Sequence, residues 1–511
     1  MEAVAAWGDR QGAAEGSWEL PEGWVWAPLE AVAPVNPPTA FQGTPDKEEL
    51  AFVPMAAVSE ETGRIALDQR RPAKDVAKGY VRFMEGDVIF AKITPCMENG
   101  KVAPVSGLPS QFGAGSTEFH VLRPKSIDQR YLWYWLVSRR FRQQAQRHMS
   151  GSAGQLRVPV DYLRRSLMPV PPLPEQRHIV TRIDELFAEI EEGEAALADA
   201  RKGLEKFRRA LLKGAVTGAL TEDWRAANPV GETGHDLLAR IKSDRAAHDP
   251  ANRRGRRAAE ARPLDAPALP AIPKGWVWAN VDEAKSGDQR NGISIPGSPT
   301  PPGTKALRLD ALTVHGLDLK AVRYIPLPYE RIADYRVNNS DLLISRANGS
   351  AEFVGRAVYV SQIGETVVFP DTIIRYPLGP DRQFGRWLEM AWNSALGRSQ
   401  IHRLAKTTAG ILKISQQDIS QVALPIPPPS EVAEILRRIS DALSTHEDTL
   451  TILDAEAADA MRLKQSILKA AFQGRLVPQD SNDEPAVAML ARLKSTHSIT
   501  EPARRRRRSK S

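Results

Sequence analysis

The sequence predicts an α+β protein made by internal duplication: two globular domains of mixed α/β character, each followed by a long heptad-patterned helix. Three observations carry that prediction. PEGWVWA at residues 21–27 returns as PKGWVWA at 273–279, with two tryptophans each time in a chain holding 11 in 511 residues. The similarity then continues at an offset that stays between 252 and 256. Two stretches, each behind a proline cluster, carry an apolar stripe, the first repeating every seven positions and the second less regularly.

In chain order, the first domain spans 18–174 and the second 272–429. GDVIFAKI (86–93) is matched by SDLLISRA (340–347), short apolar runs bounded by turn residues that read as strands. NGKVA (99–103) is matched by VGRAV (354–358), and GSAGQLRVPVDYLRRSLMPVPPLPEQ (151–176) by TTAGILKISQQDISQVALPIPPPSEV (407–432). Pro169, Pro171, Pro172 and Pro174 close the first domain; Pro425, Pro427, Pro428 and Pro429 close the second. Proline disfavours helix in the residue before it, so the long helices are expected only afterwards, over 175–220 and 430–475. Ser430 is the expected N-cap of the second, and Glu175 and Glu431 put negative charge in the first turns.

In the first helix Ile183, Ile190, Leu197, Leu204 and Leu211 recur at sevens, with Phe207 in a complementary slot. The second keeps a stripe through Ile439, Leu443, Leu450, Leu453 and Ile467, interrupted by His446 and Lys464. These stripes suit a coiled coil whose remaining apolar surface takes a protein partner. Gly218 and Gly474 are expected to stop the helices at equivalent places. LLARIKSD (237–244) returns as MLARLKST (489–496). Residues 221–271 read as a short helix and a linker carrying RRGRRAAEAR, and 476–511 as a tail with a short helix and the basic run ARRRRRSKS.

Composition narrows the function classes. The formal charge of +7 is compatible with nucleic-acid binding without proving it. The single cysteine, Cys96, excludes an internal disulfide and a multi-cysteine zinc site. MEAVAAWGDR lacks a cationic stretch followed by an apolar one, and no apolar run approaches membrane-spanning length, so a cytoplasmic setting is expected. No GxxxxGK[ST] loop and no HExxH occur. Asn36-Pro37-Pro38-Thr39 lacks the aromatic of an amino-methyltransferase motif, and Glu283-Ala284-Lys285 has no upstream aspartate to complete a nuclease site. The expectation is a binding protein with no catalytic residues, metal or cofactor of its own.

Taken together, the GWVWA phrase, GDVIFAKITPCMENGKVAPV, GSTEFHVLRP and PVPPLPEQRHIV leading into a helix ending LLKGAVTGAL resemble the specificity subunits of type I restriction–modification systems. The resemblance runs from about residue 18 to 497; the second copy departs from it with PPPSEV in place of PPLPEQ. It implies two target recognition domains separated by two antiparallel coiled-coil helices with pseudo-two-fold symmetry. It also implies a bipartite, asymmetric duplex DNA site and two adenine-N6 methyltransferase subunits. A translocase/nuclease subunit would join them, with S-adenosylmethionine, ATP and Mg held by these partners. A stand-alone repressor or an anti-restriction decoy on the same scaffold is the alternative. A self-contained methyltransferase or nuclease is disfavoured by the missing motifs.

Within that expectation, positions that stay basic in both copies are candidates for phosphate contact: Lys92 with Arg346, Lys101 with Arg356, and Arg157 with Lys413. Polar positions that differ between copies are candidates for base readout: Thr94 against Asn348, Gln155 against Ile411, and Asn99. Lys101→Ala is then expected to weaken binding to all sequences and flatten its salt dependence. Trp24, Trp26, Trp276 and Trp278 are assigned to packing. Helix length is expected to set half-site spacing without altering the half-sites.

Overall fold

The computed structural model describes residues 18–41, 43–60, 62–152, 154–229, 231–248, 269–408 and 410–492. MEAVAAWGDR, RRGRRAAEAR, the tail ARRRRRSKS, and Ala153 and Ala409 of the two AG turns lie outside the described residues. The chain forms two compact units, Met1–Ala198 with Leu453–Ser511, and Asp199–Ile452.

The long helices run Leu173–Thr217 and Pro429–Phe472, 45 and 44 residues. At ~1.5 Å per residue each is roughly 65 Å long. Both begin earlier than the prolines suggest. The carbonyls of Pro172 and Pro428 accept from the amides of Gln176 and Val432 at 3.0 Å each, so the helices open directly behind those prolines. Ser430 therefore lies inside the first turn and is not the N-cap. Pro429 occupies the opening position, where a missing amide hydrogen costs nothing. Gly218 and Gly474 end the helices at φ 77° and 67°, a left-handed conformation only glycine adopts freely.

Each unit contains the start of one long helix and the end of the other. In the first unit Ile179 and Ile183 share a core with Ile467, Leu468 and Phe472, so the two helices run antiparallel there. In the second, Leu211, Ala215 and Val216 share a core with Val432, Ile435 and Ile439 in the same sense. Lys464, which interrupts the apolar stripe, donates to Glu194 Oε2 across the helix pair at 2.8 Å.

The domains are small sheets packed on helices. In the first unit a four-stranded sheet orders Arg70–Pro72, Glu49–Val53, Phe112–Gly115 and Val81–Met84. A three-stranded sheet centres on Val88–Ala91, the strand of GDVIFAKI, between Val102–Pro104 and Phe119–Leu122. In the second, Asp341–Ser345 takes the equivalent place between Ile373–Pro377 and Ala357–Tyr359. All four residues of Val88–Ala91 and all five of Asp341–Ser345 are buried, which is why these runs are apolar without alternation.

The repeated GWVWA phrase locks each domain to its helices. Val25–Pro28 pairs antiparallel with Leu167–Val170, and Val277–Asn280 with Ala423–Ile426. The indole of Trp24 donates to Glu175 Oε2 at 2.9 Å, and that of Trp276 to Glu431 Oε2 at 2.7 Å. Pro21 and Pro273 press on the glycines that end the other helix. A Cβ on Gly474 would sit 2.3 Å from Pro21 Cγ, and one on Gly218 2.4 Å from Pro273 Cγ. The carbonyls of Gly23 and Gly275 accept from the amides of Ala486 and Gly234 at 2.9 Å each, holding the short helices 486–492 and Gly234–His248.

Candidate nucleic-acid interface

At the exit of the central strand the structure gathers Lys92, Thr94, Gln155 and Arg157. A hairpin pairs Gln155–Arg157 with Ser150–Ser152, and Ile93 bridges Arg157. The Thr94 amide donates to the Leu156 carbonyl at 3.0 Å, and Thr94 Oγ1 accepts from the Leu156 amide at 3.2 Å. Gln155 is exposed. The Lys92 ammonium donates to the Thr117 carbonyl at 2.8 Å. Arg157 grips Glu118 with two bonds of 3.0 and 2.8 Å, which holds the Glu118 carboxyl below the usual carboxylate range.

The second unit builds the same backbone with other side chains. Ala347–Asn348 pairs with Ile411–Lys413, which pairs in turn with Lys406–Thr408. The Ile414 amide donates to the Arg346 carbonyl at 2.8 Å, as Val158 does to Lys92. Here the cross-strand neighbour of Lys413 is Lys406, whereas Arg157 faces Ser150. Both lysines are exposed, and among the described residues neither makes an ion pair. Two like charges directly opposite one another repel, and an anion lying over both would relieve that repulsion. No sequence pattern singles out Lys406, since only the hairpin register sets it beside Lys413. Ile411 is 43% exposed on this rim, and Asn348 Oδ1 accepts from the Ser350 amide at 3.0 Å.

Asn99 and Lys101 lie apart from that rim, around Glu60. Asn99 Nδ2 donates to Glu60 Oε1 at 3.1 Å. The Lys101 ammonium donates to the carbonyls of Met55 and Val58 at 3.3 and 3.2 Å, with Glu60 at 3.7 Å. In this geometry Lys101 fastens the 55–60 loop. Arg356 is likewise turned inward, over the Phe353 ring at 5.2 Å and 3.7 Å from Glu352. Two further arginines hold the strand-exit loops: Arg142 donates to the Glu98 carbonyl at 2.6 Å, and Arg398 to the carbonyls of Val354, Ala351 and Glu352 at 2.7–3.0 Å. They occupy the same place in FRQQAQR and GRSQIHR, a match visible once the copies are aligned.

The helix stripe is buried where it meets the domains and opens along its length. Ile183, Ile439 and Ile467 are buried; Ile190, Leu197, Leu204, Leu443, Leu450 and Leu453 are half-buried; Phe207 is 49% exposed. Met461 and Leu463 of the first unit are exposed as well, and so is Ile452 of the second.

The remaining motifs are structural. Asn36 Nδ2 donates to His120 Nδ1 at 2.9 Å, and Asn36 Oδ1 accepts from the Val121 amide at 2.9 Å, so Asn36-Pro37-Pro38-Thr39 pins a strand. His120 Nε2 donates to the Val158 carbonyl at 3.0 Å, and burial holds its pKa below the ordinary value. Glu283 completes a capping box with Asn280, and Lys285 pairs with Asp282 at 3.2 Å. Among the described residues no group of His, Cys, Asp or Glu could hold a metal ion, and no helix is long and apolar enough to cross a membrane.

Comparison with known proteins gives a consistent set of likenesses. Residues 21–198 match the family described as type I restriction modification DNA specificity domain. The EcoEI specificity subunit of Escherichia coli is 25% identical over 506 residues, covering 90% of this chain and 84% of that one. The EcoKI specificity subunit of Escherichia coli K12 is 26% identical over 501 residues, covering 93% and 96%. A solved structure described as the basis of complex assembly and conformational transition of the type I R-M system contains a chain of similar fold. Its TM-score is 0.63 at 20% identity, over 90% of this chain and all of that one.

Proposed function

We propose that this chain, which belongs to the specificity subunits of type I restriction–modification systems, reads a bipartite duplex DNA site with one half assigned to each unit. DNA sequence recognition is the activity of that family; the comparisons lend no support to a repressor or decoy. The observation that carries the two-half reading is the duplicated rim. Lys92–Thr94 with Gln155–Arg157 and Arg346–Asn348 with Ile411–Lys413 share one backbone arrangement and differ in side chains. A shared backbone with unlike side chains suits two different half-sites, so the target is not a palindrome.

On this reading Lys406, Lys413, Lys92 and Arg346 meet phosphates, while Thr94, Gln155, Asn348 and Ile411 face base edges. Lys101, Arg157 and Arg356 serve through the loops and hairpins they hold. The domains are assigned to 18–174 and 272–429, with 221–271 and 476–511 as connecting and terminal segments. The long helices act as the ruler between half-sites about one turn of DNA apart, roughly 34–36 Å. Their open apolar surface recruits two adenine-N6 methyltransferase subunits, with a translocase/nuclease subunit completing the complex in the cytoplasm. The chain itself is non-catalytic, and S-adenosylmethionine, ATP and Mg belong to those partners.

The test is a map of adenine methylation across the host genome with the gene intact and with it deleted in frame. Loss of one bipartite asymmetric motif is the expected result. An unchanged methylome, with the partner genes expressed, would overturn the reading.

A further inference from the structure

The first unit carries a cleft of about 910 Å³ that no part of the DNA-reading surface uses. Its walls are the helix Arg139–Arg147, the segment around Tyr162–Leu167 and the last turns of the second long helix. Among the described residues six cations line it, Arg139, Arg140, Arg147, Arg165, Arg462 and Lys469, and no carboxylate does. Arg462 pairs with Asp459 on its own helix, outside the cleft.

The floor is aromatic. Trp18 stands edge-on to Trp26 at 4.7 Å, and Trp135 edge-on to Phe472 at 5.0 Å. The indole N–H groups of Trp18 and Trp135 have no hydrogen-bond partner among the described residues, although Trp135 is only 1% exposed. Buried donors without acceptors are costly and rare. Two such donors lie in the floor beneath the six cations, with the Arg140 guanidinium 4.4 Å over the Trp18 ring.

The duplication sharpens the point. Counting from Ser138 and Ser394, which cap equivalent helices, Arg139, Arg140 and Arg165 correspond to Ala395, Leu396 and Gln421. The floor changes too, with Ala391 for Trp135 and Val216 for Phe472. Arg147, Arg462 and Lys469 stay basic in the second copy as Arg403, Lys206 and Lys213, so what is peculiar to the first copy is Arg139, Arg140, Arg165 and the aromatic floor, a difference that suits an occupant present once per chain.

We propose that this cleft docks an acidic segment of a protein partner, carrying at least one aromatic or aliphatic anchor, at a single site per chain. A rigid duplex is too broad to reach the recessed tryptophan floor, which disfavours DNA. Met461, 64% exposed, extends the lining stripe of Gln465, Leu468 and Phe472 by one helical turn beyond the cleft. That apolar continuation favours an extended chain over a compact nucleotide. The proposal stands apart from the DNA-reading assignment and is tested without it.

The measurement is fluorescence anisotropy of a short fluorescein-labelled peptide, rich in glutamate with one phenylalanine, titrated with the full chain at low salt. Binding at one site per chain is expected, with a change in tryptophan emission. Arg147→Glu with Lys469→Glu should weaken it at least about tenfold, while the equivalent reversal in the second unit, Arg403→Glu with Lys213→Glu, leaves it unchanged. The single exposed change Arg165→Gln, expected to weaken binding severalfold, decides the matter should the double variant misfold. Absence of peptide binding, equal loss from the second-unit reversal, or displacement by ATP or short duplex DNA at lower concentration than by unlabelled peptide would each overturn the proposal.

Discussion

Trp24 Nε1 donates to Glu175 Oε2 at 2.9 Å across 151 residues of sequence, and the bond joins the residue just before a domain's first strand to the first turn of its long helix. Trp276 and Glu431 repeat it at 2.7 Å, yet the two carboxylates live differently. Glu431 also accepts from Thr221 Oγ1 at 2.6 Å and is ion-paired with Arg225. Glu175 makes no ion pair with Lys or Arg among the described residues, and burial raises its carboxyl above the ordinary carboxylate range, a rise that Trp24 and Gln479 only partly offset.

The pair of changes Glu175→Gln and Glu431→Gln should therefore diverge. Glu431→Gln strips Arg225 and Thr221 of a charged acceptor in a buried setting and should cost about 2–4 kcal/mol. Glu175→Gln keeps an acceptor for Trp24 and should be neutral or stabilising at pH 7. Because the folded Glu175 carboxyl holds its proton more tightly than the unfolded one, stability falls as pH rises from about 4.5 through the raised value, and the glutamine variant should lack that fall. Denaturant unfolding across pH reads both effects. Equal losses at pH 7 would refute the contrast.

A second divergent pair sits at the start of the central strands. Asp87 is buried and gripped by Arg123 at 2.8 and 2.9 Å. Its counterpart Asp341 makes no ion pair among the described residues, and burial pushes its carboxyl up to about 6, with the Asn338 amide and the charge of Arg375 opposing. Arg123→Ala should cost about 3–5 kcal/mol by stranding Asp87. The raised Asp341 value means stability declines between about pH 4 and 6 and stays lower above. Asp341→Asn should remove that decline, and an unaltered pH profile would exclude Asp341 as its source.

Lys406→Ala with Lys413→Ala should weaken binding of every DNA sequence by a similar factor and reduce the slope of log affinity against log salt by about 1.8. Lys101→Ala should leave that slope intact while lowering the melting temperature, because its ammonium is spent on the Met55 and Val58 carbonyls. A flattened slope for Lys101→Ala would return it to the phosphate contacts.

One heptad added after Ala200, with a matching heptad in the second long helix, lengthens each by about 10 Å, roughly three base pairs of DNA. Methylated motifs should then show both half-sites unchanged and a wider gap. Retained methylation at the original spacing would sink the ruler.

Periodicity and repetition made much of this legible beforehand. The duplication, the two long helices, the stops at Gly218 and Gly474 and the strands of GDVIFAKI and SDLLISRA are local patterns, readable residue by residue. What stayed hidden needs distant partners. Ser430 looks like an N-cap until Pro428 is seen accepting the first helical bond. Lys464 looks like a flaw in the stripe until Glu194 stands opposite. Lys101 looks like a phosphate ligand until two carbonyls hold its ammonium, and Lys406 acquires meaning only from the hairpin register. Reading the two copies against each other recovers part of this, since Arg142 and Arg398 align and do the same work.

The first unit is assembled from both ends of the described chain, and that has a consequence for synthesis. The rings of Tyr131 and Trp135 rest against Phe472 at 5.3 and 5.0 Å, in a core shared with Ile467, Leu468 and Met489. The second unit, by contrast, is one continuous stretch, Asp199–Ile452. At about 5–20 residues per second the ribosome needs on the order of tens of seconds to travel from Trp135 to Phe472. The domain translated first is thus completed last. Through that interval its aromatic floor faces water, and a chain halted before Phe472 would release a closed second unit beside an open first one.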